Sequence, residues 1–318
     1  MALLSWFAQA AGATLVGQDA PVARVTSDSR AVMDGDLFVA LRGERHDGHD
    51  YVVGATGKGA VGAIVERRLT VPAAQLLVDD SLRALQEIAA AWRQRFEMPL
   101  IAVTGSNGKT TTRQMLAAVL APRGPVLATR GNYNNHIGLP LTLLELRASH
   151  CSAVIEMGAN HAGEIARLTQ LARPQIGVVT QAGDAHLEGF GSRDGVARAK
   201  GELFSGLEAG GIAVINVDDA YAGLWRGMAG CRQIGFGMGR DADVGAEGIR
   251  ATESGMRFEL RIPGGGAPVE LPLPGRHNVM NALAAAACGV ALGLDAAQIA
   301  AGLQLVQAPQ GRVVWKRT

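Results

Sequence analysis

From Ser81 onward the chain alternates short apolar runs with stretches of helical spacing, a rhythm that a parallel sheet with crossover helices requires. The apolar runs are LIAVTG, PVLATR, SAVIEMG, IGVVTQ and GIAVINVDD, and TTRQMLAAVL, AGEIARLTQLA and RDGVARAKGELFSGL lie among them. Ser81 is the candidate N-cap of the first helix, SLRALQEIAAAWRQRF. Up to about Asp80 the texture is shorter and turn-rich: RVTSDSRAVMDGDLFVALRG reads as a strand, a polar turn and an apolar run, and GAVGAIVE and QLLVDD read as further strands. After Ala229 a weaker region holds MRFELRIPGGGAPVELPLPG, strands around a glycine-rich turn, followed by the helices NVMNALAAAACGVALG and DAAQIAAGLQLV. The expected fold class is α/β, with a small domain over residues 1–80 and a mostly parallel-sheet domain over 81–310. Residues 311–318 read as the start of a hinge.

A chain of 318 residues has room for about two such domains. Thirty basic against 29 acidic residues leave a net charge of +1, so no global field exists to hold nucleic acid or an anionic membrane. Any anion must be captured locally. Hydrophobic residues at 48% exclude a mainly disordered chain, and the 42 glycines, lacking a three-residue period, exclude collagen. Cys151, Cys231 and Cys288 form no CxxC pair, which fits a reduced cytoplasm. The N-terminal MALLSWFAQAAGATLVG has no basic residue before Arg24, so it reads as a folded helix rather than a secretory signal. The longest apolar stretch, Asn281 to Leu294, falls short of the ~18 residues that span a bilayer.

The strongest local signal is Val103-Thr-Gly105-Ser-Asn-Gly108-Lys109-Thr110, set between an expected strand and an expected helix. Such a turn aims free backbone N–H groups and the positive helix end at phosphate oxygens. Lys109 would reach the β- and γ-phosphates and the Thr110 hydroxyl would bind Mg²⁺. Val103 replaces the first glycine of GxxxxGK[ST], leaving GxxGKT; a plain glycine turn with a surface lysine is the alternative. Glu156 ends the run SAVI at the sheet edge where ligands sit in α/β proteins, as a metal ligand or a solvated carboxylate. His186 lies in the strand-end loop AGDAHLEGFG and, taken alone, reads as a surface histidine. Lys200 shares a helix face with Val196, Leu203 and Leu207. Burial there would lower its pKa and free the amine, for instance for carbamate formation with CO₂; a snorkelling lysine is the alternative. Asn278 and Asn281 open a helix and could cap it or pair with a purine edge. Asn134 and Asn135, in the polar loop GNYNNHIGLP, could form turns or touch substrate.

Together TGSNGKTTTR, GNYNNHIGLPLTLL, IEMGANHAGEI, AHLEGFGSRDGVARAKGELF and GRHNVMNALAAA resemble the Mur ligases, the ATP-dependent amide-forming enzymes of peptidoglycan precursor synthesis. The resemblance spans nearly the whole chain. GANHAGEI and GNYNNHIG are most similar to the member that adds D-alanyl-D-alanine to UDP-N-acetylmuramoyl-tripeptide, rather than to the sister that adds the third amino acid. Folylpolyglutamate synthase, a cousin with a similar ATP site, lacks a counterpart to SDSRAVMDGDLFVALRGERHDGHDY. The resemblance implies that Gly105, Ser106, Asn107, Gly108, Lys109, Thr110 and Thr111 hold ATP and that Asn278 contacts adenine. It assigns a first Mg²⁺ to Thr110 and Glu156, and a second to His186 and a carbamoylated Lys200, with Lys109, Lys200 and His186 as the catalytic set. Ser27, Asp28, Ser29 and Arg30 match the uridine-diphosphate pocket, and Asn134 and Asn135 the loop facing the muramoyl-peptide. The implied reaction activates the tripeptide carboxylate as an acyl phosphate, which the amine of D-alanyl-D-alanine then attacks.

The family also carries a Rossmann-like C-terminal domain, whereas seven residues follow Gly311, against the ~50 a domain needs. The expectation is therefore a cytoplasmic monomer without that domain, which binds nucleotide and UDP-sugar and ligates poorly. Two other readings compete: a non-catalytic nucleotide-binding remnant of such a ligase, and an unrelated P-loop ATPase with no use for Lys200.

Overall fold

The computed structural model describes residues 1–184 and 187–306, so His186 and the expected hinge at 311–318 lie outside it. The chain divides into two compact units, Met1–Glu97 with Gly131–Arg147, and Met98–Arg130 with the chain from Ala148 onward.

The first unit is built on strands β1 (Thr14–Val16), β2 (Arg24–Thr26), β3 (Asp36–Val39), β4 (Gly62–Val65) and β5 (Ala74–Leu77). Their order is β1-β5-β4-β3-β2, parallel except for the β1–β5 pair. The N-terminal apolar segment is a short helix, Leu4–Ala10, followed by β1. The unit does not stop near residue 80. The helix Ser81–Arg93 begins there, capped by the Asp80 carboxylate, which accepts from Arg83 N at 2.8 Å, while Ser81 is its first residue. The apolar face of this helix carries Leu85, Ile88 and Trp92. The Trp92 indole packs edge-on to Trp6 and donates to the Leu146 carbonyl at 3.1 Å. Those contacts tie the helix Ser81–Arg93 to the N-terminal helix and to the segment 131–147. The change of sequence texture at Ser81 marks the start of a helix, not of a domain.

The second unit holds β6 (Leu100–Thr104), β7 (Val126–Ala128), β8 (Ser152–Glu156), β9 (Ile176–Val179), β10 (Ile212–Asn216) and β11 (Arg232–Phe236). They form one parallel sheet in the order β11-β10-β9-β6-β8-β7. An antiparallel sheet of β12 (Gly245–Ala251), β13 (Met256–Ile262) and β14 (Gly265–Leu271) follows. The helix Lys109–Leu120 buries Met115, Leu116, Val119 and Leu120. Each such side chain contributes about 1.5–3 kcal/mol by leaving water. The alanine-rich helix Arg276–Ala291 lies against it, its Ala282–Ala287 run fully buried. From β6 the chain crosses to β7 and returns to β8 on one side, then places β9 on the other side of β6, so the strand order reverses at β6. That switch point opens a crevice at the carboxyl ends of the strands, where ligands enter open α/β sheets. Among the described residues no helix is long and apolar enough to cross a membrane.

Candidate functional site

The turn after β6 is fixed by steric fit. Gly105 has φ +139° and Gly108 φ +83°, conformations that side chains disfavour, and a Cβ at either would collide with Thr180 Oγ1 or with the Asn281 amide. The Thr180 hydroxyl donates to the Asn107 carbonyl at 2.6 Å. Ser106 is tied to the β9 loop, its N–H donating to Gln181 O at 2.9 Å and its hydroxyl accepting from Gly183 N at 2.9 Å. Ser106 thus fastens the segment that leads to His186. Lys109 opens the helix and folds back, donating from Nζ to Gly105 O at 2.7 Å and Ser106 O at 3.2 Å.

Thr110 Oγ1 donates to Glu156 Oε2 at 3.2 Å, which brings together two residues 46 apart in sequence. Glu156 is 3% exposed, and its N–H donates to the Thr129 hydroxyl at 2.9 Å. Arg113 is 6% exposed, lies 3.7 Å from Glu156 Oε2 and donates to the Thr129 carbonyl. Among the described residues no group of three or more His, Cys, Asp or Glu side chains is set to hold a metal. A hydroxyl beside one carboxylate still fits Mg²⁺, which binds through few protein oxygens and completes its shell with phosphate and water.

Lys200, on the helix Arg193–Ser205, is 2% exposed. Its Nζ donates to Ala159 O at 3.4 Å and lies 5.3 Å from the centre of the Phe190 ring. Burial, then the charge of Lys109, pushes its pKa down to about 8. The lysine is thus enclosed rather than snorkelling. The loop beside it is held by carboxylates: Glu202 accepts from Gly163 N at 2.7 Å and Glu164 from Asn160 N at 2.7 Å.

A cleft of about 540 Å³ opens next to the glycine turn, lined by Asn107, Thr180, Asn216, Asp218, His277 and Asn281 among others. Asn278 is turned elsewhere: its amide donates to Pro274 O at 2.7 Å and accepts from Asn281 Nδ2 at 3.3 Å. The lining residues are its neighbours His277 and Asn281. Sequence reasoning passed over Asn216 and Asp218, although both sit at the carboxyl end of β10, where the switch-point rule would have found them.

In the first unit, Arg30 is paired with Asp28 through Nε–Oδ1 and Nη2–Oδ2, both at 2.9 Å. These bonds lower the Asp28 pKa to about 2. Lys58 Nζ donates to the Ser29 carbonyl at 2.9 Å, and Ser27 opens the same turn. Asn135 lies in the turn before the helix Gly138–Leu143, its side chain accepting from Gly138 N at 2.8 Å; Asn134 N donates to Asn132 O at 2.8 Å.

Comparison with known proteins follows the same lines. Residues 103–289 match the Mur ligase middle domain, and residues 21–119 match the catalytic domain of the Mur ligase family. The UDP-N-acetylmuramoyl-tripeptide–D-alanyl-D-alanine ligase of Escherichia coli is 45% identical over 94% of this chain and 67% of its own length. A crystal structure of MurF from Acinetobacter baumannii superposes with a TM-score of 0.93 at 38% identity, covering 99% of this chain and 70% of that one. MurF ligase from Thermotoga maritima in complex with ADP gives a TM-score of 0.77 at 30% identity, covering 87% and 65%. The chain therefore spans about two thirds of the length of the relatives it matches.

Proposed function

Because the chain belongs to the Mur ligase family and the relatives named above are D-alanyl-D-alanine-adding ligases, we propose that it serves ATP-dependent amide formation between UDP-N-acetylmuramoyl-tripeptide and D-alanyl-D-alanine, in the cytoplasmic supply of peptidoglycan precursors. The observation that carries this reading is the Lys109, Thr110 and Glu156 arrangement at the strand-order switch, beside a cleft of nucleotide size.

In this reading the N–H groups of residues 105–111 and the helix end take the phosphates. Lys109 exchanges its loop carbonyls for phosphate oxygens and stabilises charge as the bond to the γ-phosphorus forms. Met238 and Met280 give the cleft apolar walls and Asn216 and His277 polar edges, a lining suited to a purine. Thr110 and Glu156 would hold one Mg²⁺, and a carbamoylated Lys200, with His186, a second. Magnesium, when bound, supplies neutralisation of the phosphate oxygens. An amine gives Mg²⁺ no oxygen, so Lys200 serves only as its carbamate. A pKa near 8 leaves about a quarter of the amine neutral at pH 7.5, against about 0.1% for an ordinary lysine, and the neutral amine is what attacks CO₂. The tripeptide carboxylate attacks the γ-phosphorus and ADP leaves; the dipeptide amine then attacks the acyl carbon and phosphate leaves. The turn at Ser27, Asp28, Ser29 and Arg30 would take the uridine diphosphate, and the loop at Asn134 and Asn135 the muramoyl-peptide.

Thermal shift with two ligands tests the assignment. Magnesium ATP and UDP-N-acetylmuramoyl-tripeptide should each raise the melting midpoint, with Lys109→Ala abolishing the first shift and Arg30→Ala the second. No shift with the UDP compound would contradict the reading.

A further inference from the structure

Arg113 has no part in the roles proposed above, yet it occupies one of the costliest positions in the second unit. It stands one helical turn after Thr110, so both side chains share a helix face and meet Glu156 there. Desolvating a guanidinium beside a carboxylate often gains no more stability than an apolar pair of the same size. Arg113 is 6% exposed, with its guanidinium 3.7 Å from Glu156 Oε2. A side chain kept on such terms suggests a task other than packing.

Holding Glu156 in place is not that task. Three other features already hold the residue, two at its backbone and one at its carboxylate: the β6–β8 register that pairs Glu156 with Val103, the bond from its backbone N–H to the Thr129 hydroxyl, and the Thr110 hydroxyl on Oε2. Thr129 in turn donates its N–H to Val154 O at 3.1 Å, so the anchor is itself anchored. What the guanidinium adds is charge. With no divalent ion beside Glu156, an uncompensated buried carboxylate would be strongly unfavourable, and Arg113 compensates it. With the ion present, two cations share one carboxylate at short range and repel each other.

We infer that Arg113 is a resident counter-cation for Glu156, which keeps the empty site stable and weakens the hold on Mg²⁺ so that the metal–nucleotide product can leave. The inference rests on the reading of Glu156 as a metal ligand. Arg113 is in these terms a tuning residue, acting on metal through the carboxylate they share.

Titrating Mg²⁺ against the chain and ADP tests it, the readout being the Mg²⁺ midpoint of ADP binding. Arg113→Gln removes the charge while keeping an amide donor for the Thr129 carbonyl, and Arg113→Lys keeps the charge. The midpoint should fall about ten-fold in Arg113→Gln and stay within about two-fold of wild type in Arg113→Lys. ADP affinity in EDTA should be the same in all three. A merely structural residue would behave differently, because a damaged pocket binds metal more weakly. Should Arg113→Gln fold poorly, Arg113→Met, with a stem of similar bulk, repeats the measurement. An unchanged or raised midpoint in the uncharged variants, with a magnesium-dependent wild type, overturns the role of Arg113 alone. A wild type whose ADP binding ignores magnesium overturns both this role and the metal reading of Glu156.

Discussion

Replacing Lys200 by methionine keeps an unbranched stem of similar length and removes the buried ammonium. In the folded chain the Lys200 pKa is about 8 against an ordinary 10.5, a difference of about 2.5 units, worth roughly 3 kcal/mol. The sign follows from proton counting. Between pH 8 and 10.5 the unfolded chain holds more protons on this group, so wild-type stability rises with pH through that window. Below pH 8 the full cost of burying the charge is present. The substitution relieves that cost but deprives Ala159 O of a donor, a loss of about 1 kcal/mol. Lys200→Met should therefore stabilise the second unit by about 2 kcal/mol at pH 7, with the gain shrinking as pH approaches 10.5. Urea unfolding at pH 7 and at pH 9.5, in CO₂-free buffer, measures it. A variant less stable than wild type at pH 7, by an amount independent of pH, would refute the argument that Lys200 is a destabilising buried cation.

Other substitutions probe separate parts of the structure. Gly108→Ala forces a Cβ against the Asn281 amide at positive φ, so nucleotide affinity should drop at least ten-fold (about 1.4 kcal/mol) while UDP-compound binding holds; equal affinities by calorimetry would count against the steric account. Trp92→Ala removes the indole that joins its helix to Leu146 and Trp6, and should cost the first unit about 3–5 kcal/mol by urea denaturation; a change below 1 kcal/mol would mean that this helix is not integral to that unit. Bicarbonate or a short carboxylate should partly restore any activity lost in Lys200→Ala, as the carbamate role requires, whereas a plain packing role predicts no rescue.

The features legible in the sequence were those that periodicity and local chemistry determine. LIAVTG followed by GxxGKT read as a buried strand entering a glycine turn before a helix, and the structure has that strand, turn and helix. The placement of Lys200 among Val196 and Leu203 put it on an apolar helix face but left burial and snorkelling both open, and the structure buries it. Contacts between residues far apart in sequence were hidden. The helix Ser81–Arg93 joins the first unit through Trp92 and Leu146, 54 residues on, and no local pattern encodes that choice. The same limit applies in part to the cleft: Asn216 was legible as a strand-end residue, but that His277 lines the same cleft shows only once the sheet is assembled. Asn135 shows a third reason: one amide can form a turn or contact a substrate, and only the geometry shows it holding the turn before the helix Gly138–Leu143. Arg113 followed the threonines of the turn as an ordinary basic residue, and its ion pair with Glu156 depends on how β8 lies beside its helix.

The central claim is that the turn between β6 and the helix Lys109–Leu120 grips a triphosphate with divalent metal at Thr110 and Glu156. Isothermal calorimetry with a non-hydrolysable ATP analogue, with and without magnesium, tests it most directly. The account predicts one site per chain, tightened by magnesium and lost in Lys109→Ala; no binding heat at saturating magnesium would contradict it.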